Sequence, residues 1–182
     1  MTAARPPVRL DDAWLNDRSE FQRNFVHGLR NPVGLHIQYR LELLEGGPDP
    51  VSGLPPHRVR GEWTPDPEVH AGFPGVVHGG LVSAVLDDVM GRSTMLLRRW
   101  VVTGRLEVRY RGPAPTGTPL QVEGRMTGLR RRVVTAEARL LVAGGATVAE
   151  ASASYLPLTP ALERLMVERW PGFAAYLGGG TV

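Results

Sequence analysis

The sequence predicts an α+β protein in which a curved antiparallel sheet of about six strands wraps around one long central helix. Two observations lead to this prediction. Apolar and polar residues alternate in six short segments, which is the period of a half-buried strand. Between the second and third segments, residues 80–98 show no such alternation, contain no proline and are apolar over most of a helical circumference. A helix this apolar needs cover on several sides, and the apolar faces of the strands can provide it.

The six strand segments are separated by turn signals rich in glycine and proline, such as residues 112–115 and 144–145. One face of each strand is polar, which is typical of an antiparallel sheet covered on a single side. The inward-facing residues that the alternation predicts are Leu35, Ile37, Tyr39, Leu41 and Leu43; Val59 and Trp63; Leu106, Val108 and Tyr110; Leu120, Val122 and Met126; Val134, Ala136, Ala138, Leu140 and Val142; and Ala149, Ala151, Ala153 and Tyr155.

The two ends of the chain predict appendages to one domain, the expected number for 182 residues. We assign residues 1–28 to an N-terminal extension with a helix at about 14–26, and residues 29–158 to the domain itself. Residues 159–182 form a C-terminal helix and tail in this prediction, because Pro160 is a good first-turn residue and apolar residues follow it at helical spacing.

Composition and charge exclude several classes of function. The chain has no cysteine, which excludes disulfides, thiol nucleophiles and cysteine-ligated metal centres. All 21 basic residues are arginine, but the net charge is only +3, too small a field to favour nucleic acid. The N-terminus lacks the apolar core of a secretory signal, and the longest uncharged run, residues 71–86, is too short to cross a bilayer. We expect a soluble cytoplasmic protein with no nucleic-acid or membrane partner.

The most informative stretch is residues 70–88, with the sequence HAGFPGVVHGGLVSAVLDD. Gly79 and Gly80 stand at the start of the predicted helix, where backbone N–H groups are open to a ligand and the helix dipole favours negative charge. Asp87 and Asp88 lie two turns into the most apolar helix, where a carboxylate costs free energy unless it has a partner or a function. These features disfavour the interpretation that the segment has no function and is only a loop followed by exposed helix residues.

Helix geometry separates the two aspartates. At about 100° per residue, Asp87 lies within roughly 80° of Ser83, Gly91 and Thr94, so these small and polar groups form one strip. Asp88 lies about 100° further round the helix. Asp87 is therefore predicted to face a functional site, and Asp88 to be a charge at the helix edge or in an interface.

The combination of His78-Gly79-Gly80 with Asp87, nine residues after the histidine, resembles the PaaI-like family of hotdog-fold acyl-CoA thioesterases. In that family HGG begins the central helix and an acidic residue at this spacing is catalytic. Residues 31–35, NPVGL, are similar to the N-P-x-G-L that opens the first strand in many members, and residues 106–113, LEVRYRGP, are similar to the strand after the helix. The resemblance covers about residues 25–158 and implies the hotdog fold and hydrolysis of an acyl-CoA.

The resemblance also implies a role for each residue of the motif. Asp87 would be the general base or the nucleophile, two mechanisms that the sequence does not separate. The amides of Gly79 and Gly80 would hold the oxyanion. His78 would polarise the site or, by the commoner role, hold the turn through hydrogen bonds.

Two further positions are compared with the family pattern. In better-studied relatives a serine or threonine follows the helix, and counting back from Pro113 places this hydroxyl on Thr103. Strict alternation puts Thr103 on the polar face unless Gly104 bulges the strand. The asparagine or glutamine that precedes HGG in those relatives is replaced here by Gly72.

The residues expected to bind substrate are His70, Pro74, Ser83, Gly91 and Arg130. Arg130 begins a run of three arginines which, like the pair at 98–99, can bind the phosphates of coenzyme A, although a solvated turn explains the run as well. The histidines at 70 and 78 match no standard ligand spacing, so we expect neither a metal nor a cofactor.

Two other functions stay open. The loop at residues 70–75 is faintly similar to the histidine loop of hotdog hydratases and dehydratases, which need a positioned histidine and carboxylate. A non-catalytic acyl-CoA sensor on the same fold is the second alternative, although neither end of the chain resembles an output module.

The predicted partners are an acyl-CoA substrate and a second copy of the chain. Gly80 and Asp87 are seven residues apart on one helix, so their backbones are separated by about 10 Å along its axis. Two antiparallel helices about a two-fold axis would place Asp87 of one chain beside Gly80 of the other. We therefore expect a homodimer, or a tetramer made of two dimers.

Overall fold

The computed structural model describes residues 20–142 and 144–169. Within these residues, six strands form one antiparallel sheet in the order β1-β2-β6-β7-β8-β5. The strands are β1 Gln38–Leu43, β2 His57–Trp63, β5 Val101–Tyr110, β6 Leu120–Arg130, β7 Val133–Val142 and β8 Thr147–Pro157. A small hairpin of β3, Ala71–Phe73, and β4, Val76–Val77, stands apart from this sheet and lies in the loop that precedes the central helix. The predicted antiparallel sheet is confirmed.

The central helix, α1, spans Gly79–Ser93 and packs against five strands of the large sheet. Most of its apolar residues are at most 2% exposed, as the continuous apolar pattern predicted, while Leu81 and Ala84 are partly buried. The helix lies close to β6 at Gly124, where an added Cβ would be only 3.0 Å from the backbone of Val89. A side chain at this strand position would push the helix away, so glycine permits the tight contact of helix and sheet.

α1 is shorter than the predicted helix at 80–98. The Thr94 hydroxyl donates to the carbonyl of Gly91 at 2.8 Å and helps to end the helix. A 3₁₀ turn at Met95–Leu97 follows, and Arg98 then takes the left-handed conformation with φ of 52°. Tertiary packing and these caps therefore override an apolar pattern that continues past Ser93.

The first strand also begins later than the alternation predicts. His36 has φ of 55°, which no β-strand residue adopts, so the ladder starts at Gln38. Leu35 and Ile37 are nevertheless buried, and their N–H groups donate to the carbonyls of Phe25 and Val26. The alternating residues thus reach the core before the regular strand begins.

Outside the large sheet and α1, a second helix, α2, spans Pro160–Arg169 and begins at the predicted proline. The predicted N-terminal helix at 14–26 lies largely outside the described residues, whose first element is a 3₁₀ turn at Glu20–Arg23. In the part of the chain that the structure describes, no helix is long and apolar enough to cross a membrane.

The face of the sheet away from α1 carries ion pairs between strands. Glu123 of β6 pairs with Arg60 at 3.1 Å and Arg58 at 3.8 Å on β2, and with Arg139 on β7. Single exposed pairs contribute little to stability, but a shared carboxylate links three strands. Part of the arginine content is therefore explained by this network.

Candidate active site

The start of α1 is capped by the histidine of the HGG motif. Nδ1 of His78 accepts a hydrogen bond of 3.0 Å from the N–H of Gly80. The Gly79 N–H makes no hydrogen bond with any described residue. The expectation that both glycine amides are open to an oxyanion is therefore wrong in this structure: the Gly80 amide binds His78, and the Gly79 amide is the open donor.

Two hydroxyl groups hold the peptide carbonyl between these glycines. The Tyr110 hydroxyl, at the end of β5, donates to the Gly79 carbonyl at 2.8 Å, and the Ser83 hydroxyl donates to it at 3.1 Å. The two hydroxyl oxygens are 2.7 Å apart. Ser83 therefore belongs to the N-terminal end of the helix. The predicted strip that joins it to Asp87 is not one continuous site.

A cavity of about 410 Å³ opens beside the Gly79 amide. Its walls come mainly from small and apolar residues, including Val76, Val77, Val82, Pro113, Ala114 and Val148. Among the described residues that line this cavity there is no arginine and no carboxylate. The open amide therefore lies at the edge of an apolar space.

Asp87 is held by hydroxyl groups from two neighbouring strands. The Thr103 hydroxyl donates to Oδ1 at 2.9 Å and to Oδ2 at 3.2 Å. The register between β5 and β8 shifts between Thr103 and Arg105, which places a bulge at Gly104. The bulge on which the prediction for Thr103 depended is present, and it turns this hydroxyl toward α1.

The second hydroxyl belongs to Tyr155 of β8, which the sequence analysis placed on the inner face without assigning it to the site. Its hydroxyl donates to Oδ1 of Asp87 at 3.0 Å and to the main-chain carbonyl of Asp87 at 3.0 Å. Burial and the negative charge of Asp87 hold the pKa of Tyr155 far above its usual range, so the group stays a donor. A buried tyrosine usually needs a hydrogen-bond partner for its hydroxyl, and this rule could have indicated from the sequence that Tyr155 contacts a polar group on the helix.

Asp88, predicted to be a charge at the helix edge or in an interface, is largely buried and hydrogen-bonded to His27. Its carboxylate lies 3.0 Å from Nδ1 of His27, and the exposed fractions of the two side chains are 13% and 5%. Nε2 of the same imidazole accepts from the guanidinium of Arg92. Since Nε2 accepts, the proton is on Nδ1, and the imidazole links a carboxylate to a guanidinium.

Burial and charge set the protonation of this cluster. Burial lowers the pKa of His27, although Asp88 acts in the opposite direction. Burial alone would raise the pKa of Asp88, but the hydrogen bond and charge of His27 and the charge of Arg92 outweigh it and lower the pKa. The cluster fastens the segment before β1 to the helix beside Asp87.

A second cavity, of about 250 Å³, opens beside Asp87. Its lining includes Gly91, Arg99, Trp100 and Thr103, and a Cβ added at Gly91 would meet nothing within 4 Å. Gly91 therefore faces open space, and its role in binding substrate stays a prediction. The two cavities share no lining residue among those described.

The open amide lies at the start of α1, whereas the carboxylate lies near the middle of the helix. Gly79 and Asp87 are eight residues apart, or about 12 Å along the helix axis. Within one chain they therefore open into separate spaces.

The structure places His70 and Pro74 outside both cavities. Nδ1 of His70 accepts from the N–H of Asp66 at 2.8 Å, and its ring packs against Trp63 with 5.6 Å between centroids. The His70 carbonyl accepts from the N–H of His78 at 2.9 Å, so the residue supports the HGG turn. Pro74 is exposed in the turn between β3 and β4. The prediction that these two residues line the substrate site is not supported by the described cavities.

Arg130 is exposed at the end of β6 and lines neither cavity. Its neighbour Leu129 pairs with Val134, which pairs with Tyr155, which in turn pairs with Thr103. Arg130 thus follows directly after a row of residues that crosses the sheet beside Asp87. A role for Arg130 in binding substrate stays a prediction.

Close packing requires glycine at position 72. A Cβ added at Gly72 would lie 2.9 Å from Cα of His78, so the backbone of β3 approaches the HGG turn too closely for a side chain. In the part of the chain that the structure describes, no group of three histidine or acidic residues could hold a metal ion.

Comparison with known proteins agrees with this architecture. A family model described as the thioesterase superfamily matches residues 74–149. A crystal structure of a thioesterase superfamily protein aligns with a TM-score of 0.61 and 25% identity, over 85% of this chain and 73% of the other. A hypothetical thioesterase from Streptococcus pneumoniae, solved with coenzyme A, aligns with a TM-score of 0.53 and 17% identity, over 65% and 87% of the two chains. A search of curated proteins finds no match.

The PaaI protein of E. coli, from the phenylacetic acid degradation operon, aligns with a TM-score of 0.53 and 10% identity, over 65% of this chain and 80% of the other. Two further structures are alanine variants of the pneumococcal protein, one at an aspartate and one at a threonine sixteen positions later. The chain thus has the hotdog fold, and its resemblance to hotdog-fold thioesterases is confirmed.

Proposed function

We propose that this protein hydrolyses an acyl-CoA to a free acid and coenzyme A, using Asp87 of one protomer and the Gly79 amide of a second. The observation that carries the proposal is the arrangement on α1. An open N–H at the helix start faces one cavity, and a carboxylate held by Thr103 and Tyr155 faces another. These are the two groups that acyl transfer to water requires.

In this mechanism the thioester carbonyl accepts a hydrogen bond from the Gly79 amide. Negative charge develops on that oxygen as the acyl carbon becomes tetrahedral, and the positive end of the helix dipole stabilises it. Asp87 takes a proton from the attacking water, the C–O bond forms, and the C–S bond then breaks. The proton returns from Asp87 to the departing thiolate. Direct attack by the Asp87 carboxylate is the alternative, and a covalent anhydride would then be hydrolysed.

The separation of the two groups supports a shared site in a homodimer. A single aspartate side chain does not span the roughly 12 Å along α1 between Gly79 and Asp87. β5, which carries Thr103 and Tyr110, is a ten-residue strand at the edge of the sheet, and such an edge favours pairing with another strand. Exposed apolar side chains at Val102 and Leu156 lie on this side of the molecule. A dimer of two dimers is compatible with the same arrangement.

The substrate assignment also draws on the relatives. The pneumococcal structure contains coenzyme A, and its two alanine variants are at an aspartate and a threonine with the same spacing as Asp87 and Thr103. The apolar cavity at Gly79 suits an uncharged acyl group, since no carboxylate or arginine lines it. Arg99, in the lining of the second cavity, and Arg130 beyond it are candidates for the coenzyme A phosphates.

The proposal is tested by measuring release of free thiol from a panel of aromatic, medium-chain and long-chain acyl-CoAs. We expect turnover of at least one of them, loss of turnover in Asp87→Asn, and no effect of EDTA. Absence of turnover across the panel, with acyl-CoA still bound, would favour the sensor alternative.

The hydratase alternative is tested with the same protein. Nδ1 of His70 already accepts from the N–H of Asp66 and the ring packs on Trp63, which argues against its use as the base in this reaction. We expect no hydration of an enoyl-CoA, measured by its ultraviolet absorbance, and substantial thioesterase activity in His70→Ala. Hydration that His70→Ala abolishes would contradict the thioesterase assignment.

A further inference from the structure

We propose that Tyr155 is a positioning residue that fixes the carboxylate of Asp87 for the reaction. This inference rests on the proposed function and adds to it a residue that neither the HGG motif nor its spacing to Asp87 indicates. It follows from three features of the structure: the contacts of the Tyr155 hydroxyl, its burial, and its place in the sheet.

The Tyr155 hydroxyl contacts both the side chain and the backbone of the same residue. It lies 3.0 Å from Oδ1 of Asp87 and 3.0 Å from the main-chain carbonyl oxygen of Asp87. Because the backbone carbonyl of Asp87 holds the hydroxyl in place, its contact with Oδ1 favours one χ1 rotamer of Asp87, and rotation about χ1 would break that contact. Thr103 contacts only the carboxylate, so it does not by itself fix the side chain to the helix backbone.

Burial separates positioning from direct catalysis. The Tyr155 side chain is only 2% exposed, and it reaches Asp87 from the sheet side. Tyr155 also lines the second cavity beside Asp87, but its hydroxyl is engaged by Asp87 and so holds the carboxylate rather than facing a substrate. Its high pKa, set by burial and by the charge of Asp87, keeps the proton on the hydroxyl in the range where the enzyme works.

The strand register makes the support rigid. Thr103 and Tyr155 are direct partners across β5 and β8, and Tyr155 is paired on its other side with Val134 of β7. The two donors to Asp87 are thus fixed relative to one another by backbone hydrogen bonds. A site residue whose supporting shell is built on strands is held more precisely than one supported by a loop.

The two donors leave the carboxylate oxygens unequal. Oδ1 accepts from Thr103 at 2.9 Å and from Tyr155 at 3.0 Å, whereas Oδ2 accepts only from Thr103, at 3.2 Å, among the described groups. Oδ2 therefore has fewer hydrogen bonds than Oδ1 and is the oxygen better placed to contact water or the acyl carbon. In this arrangement Tyr155 selects the oxygen that reacts.

The first experiment compares steady-state kinetics of wild type, Tyr155→Phe, Asp87→Asn and the double variant. We expect Tyr155→Phe to lower kcat by about 10- to 100-fold with little change in KM, because this is the usual effect of losing one hydrogen bond to a charged group. In the Asp87→Asn background the same change should lower kcat less than about twofold, because the hydroxyl acts through Asp87. Tyr39→Phe is the matched control, since this equally buried tyrosine is beside Asp88, and its kcat should stay near wild type.

The second experiment does not depend on activity. Thermal unfolding should show Tyr155→Phe lowering Tm by about 3 °C in wild type and clearly less in Asp87→Ala, where the acceptor carboxylate is gone. Equal kcat in wild type and Tyr155→Phe, or an undiminished effect on Tm in Asp87→Ala, would overturn the inference. If the wild type is inactive but the effect of Tyr155→Phe on Tm is clearly smaller in Asp87→Ala, the result would contradict only the proposed function.

Discussion

The hydroxyl of Thr103 lies 2.9 Å from Oδ1 of Asp87, although strict alternation along β5 would point it away from the helix. The bulge at Gly104 accounts for this contact, because one extra residue reverses the side on which the next side chains lie. The candidate carboxylate is therefore positioned by a local irregularity of an edge strand.

Replacement of Thr103 tests this contact. Thr103→Val keeps the shape of the side chain but removes the hydroxyl, and we expect kcat to fall by about 10- to 100-fold. Thr103→Ser keeps the donor and should retain most of the activity. Equal rates for the valine and serine variants in the acyl-CoA assay would show that the hydroxyl has no role.

The two neighbouring aspartates should respond differently to the same substitution. Asp87→Asn removes the proposed base or nucleophile and should lower kcat by about 10³-fold or more without unfolding the protein. Asp88→Asn removes the charged acceptor of the His27 hydrogen bond and the charge near Arg92, and it should lower the free energy of unfolding by about 2 kcal/mol. Denaturant titration and steady-state kinetics of both variants measure the contrast. A larger loss of kcat in Asp88→Asn would show that the assignment of the two residues is reversed.

The His27–Asp88 pair predicts a loss of stability in acid. The folded-state pKa of His27 lies below its ordinary value of 6.5, and that of Asp88 below 3.8, so folding favours the deprotonated form of both groups. Each group therefore contributes to stability at pH values above its ordinary pKa. This contribution is lost as the pH falls through the folded-state pKa, first for His27 and then for Asp88. The free energy of unfolding should therefore decrease from about pH 7 to about pH 5.

His27→Gln should flatten this dependence between about pH 7 and pH 5, because the titrating group is removed. His36→Asn is the matched control, since His36 is exposed and asparagine tolerates its left-handed backbone. Denaturant titrations at several pH values measure the slopes. A slope in His27→Gln as steep as that of the control would mean that another group causes the acid sensitivity.

His78 is expected to act by holding the HGG turn. Removal of its Nδ1 acceptor in His78→Ala should cost about 1 kcal/mol of stability, the usual cost of losing a helix N-cap. It should also lower kcat about tenfold, because the Gly79 amide loses its fixed orientation. His78→Asn retains a capping side chain and should recover most of both losses. Failure of asparagine to recover kcat, with stability restored, would indicate a direct role of the imidazole in the chemistry.

Much of the fold could be predicted because the period of apolar residues reports which face of each element is buried. The alternation from Ala149 to Tyr155 indicates an inner face, and these side chains are buried in the structure. Element ends were less predictable. The left-handed conformation of His36 and the capping of α1 at Thr94 depend on tertiary contacts that a local pattern does not encode.

The site was predictable where it lies on one motif and not where it is assembled across the sheet. HGG and Asp87 lie on a single helix, so their spacing could be interpreted directly. Tyr155 comes from a strand 68 residues away, and His27 from a segment 61 residues before Asp88. The strand order brings Tyr155 to Asp87, and the packing of the N-terminal segment on α1 brings His27 to Asp88.

The central claim is that Asp87 of one protomer and Gly79 of its partner form each active site. Complementation tests it most directly, using an Asp87→Asn chain and a Gly79→Val chain that are each inactive alone. A hybrid of the two has one site with both residues intact, so an equal mixture that assembles at random should regain about a quarter of wild-type activity. A mixture of Asp87→Asn with Thr103→Val is the control, because both changes affect the same half of the site and the hybrids should stay impaired. Hybrids of the first pair that form, as shown by native mass spectrometry, and yet remain inactive would contradict the shared site.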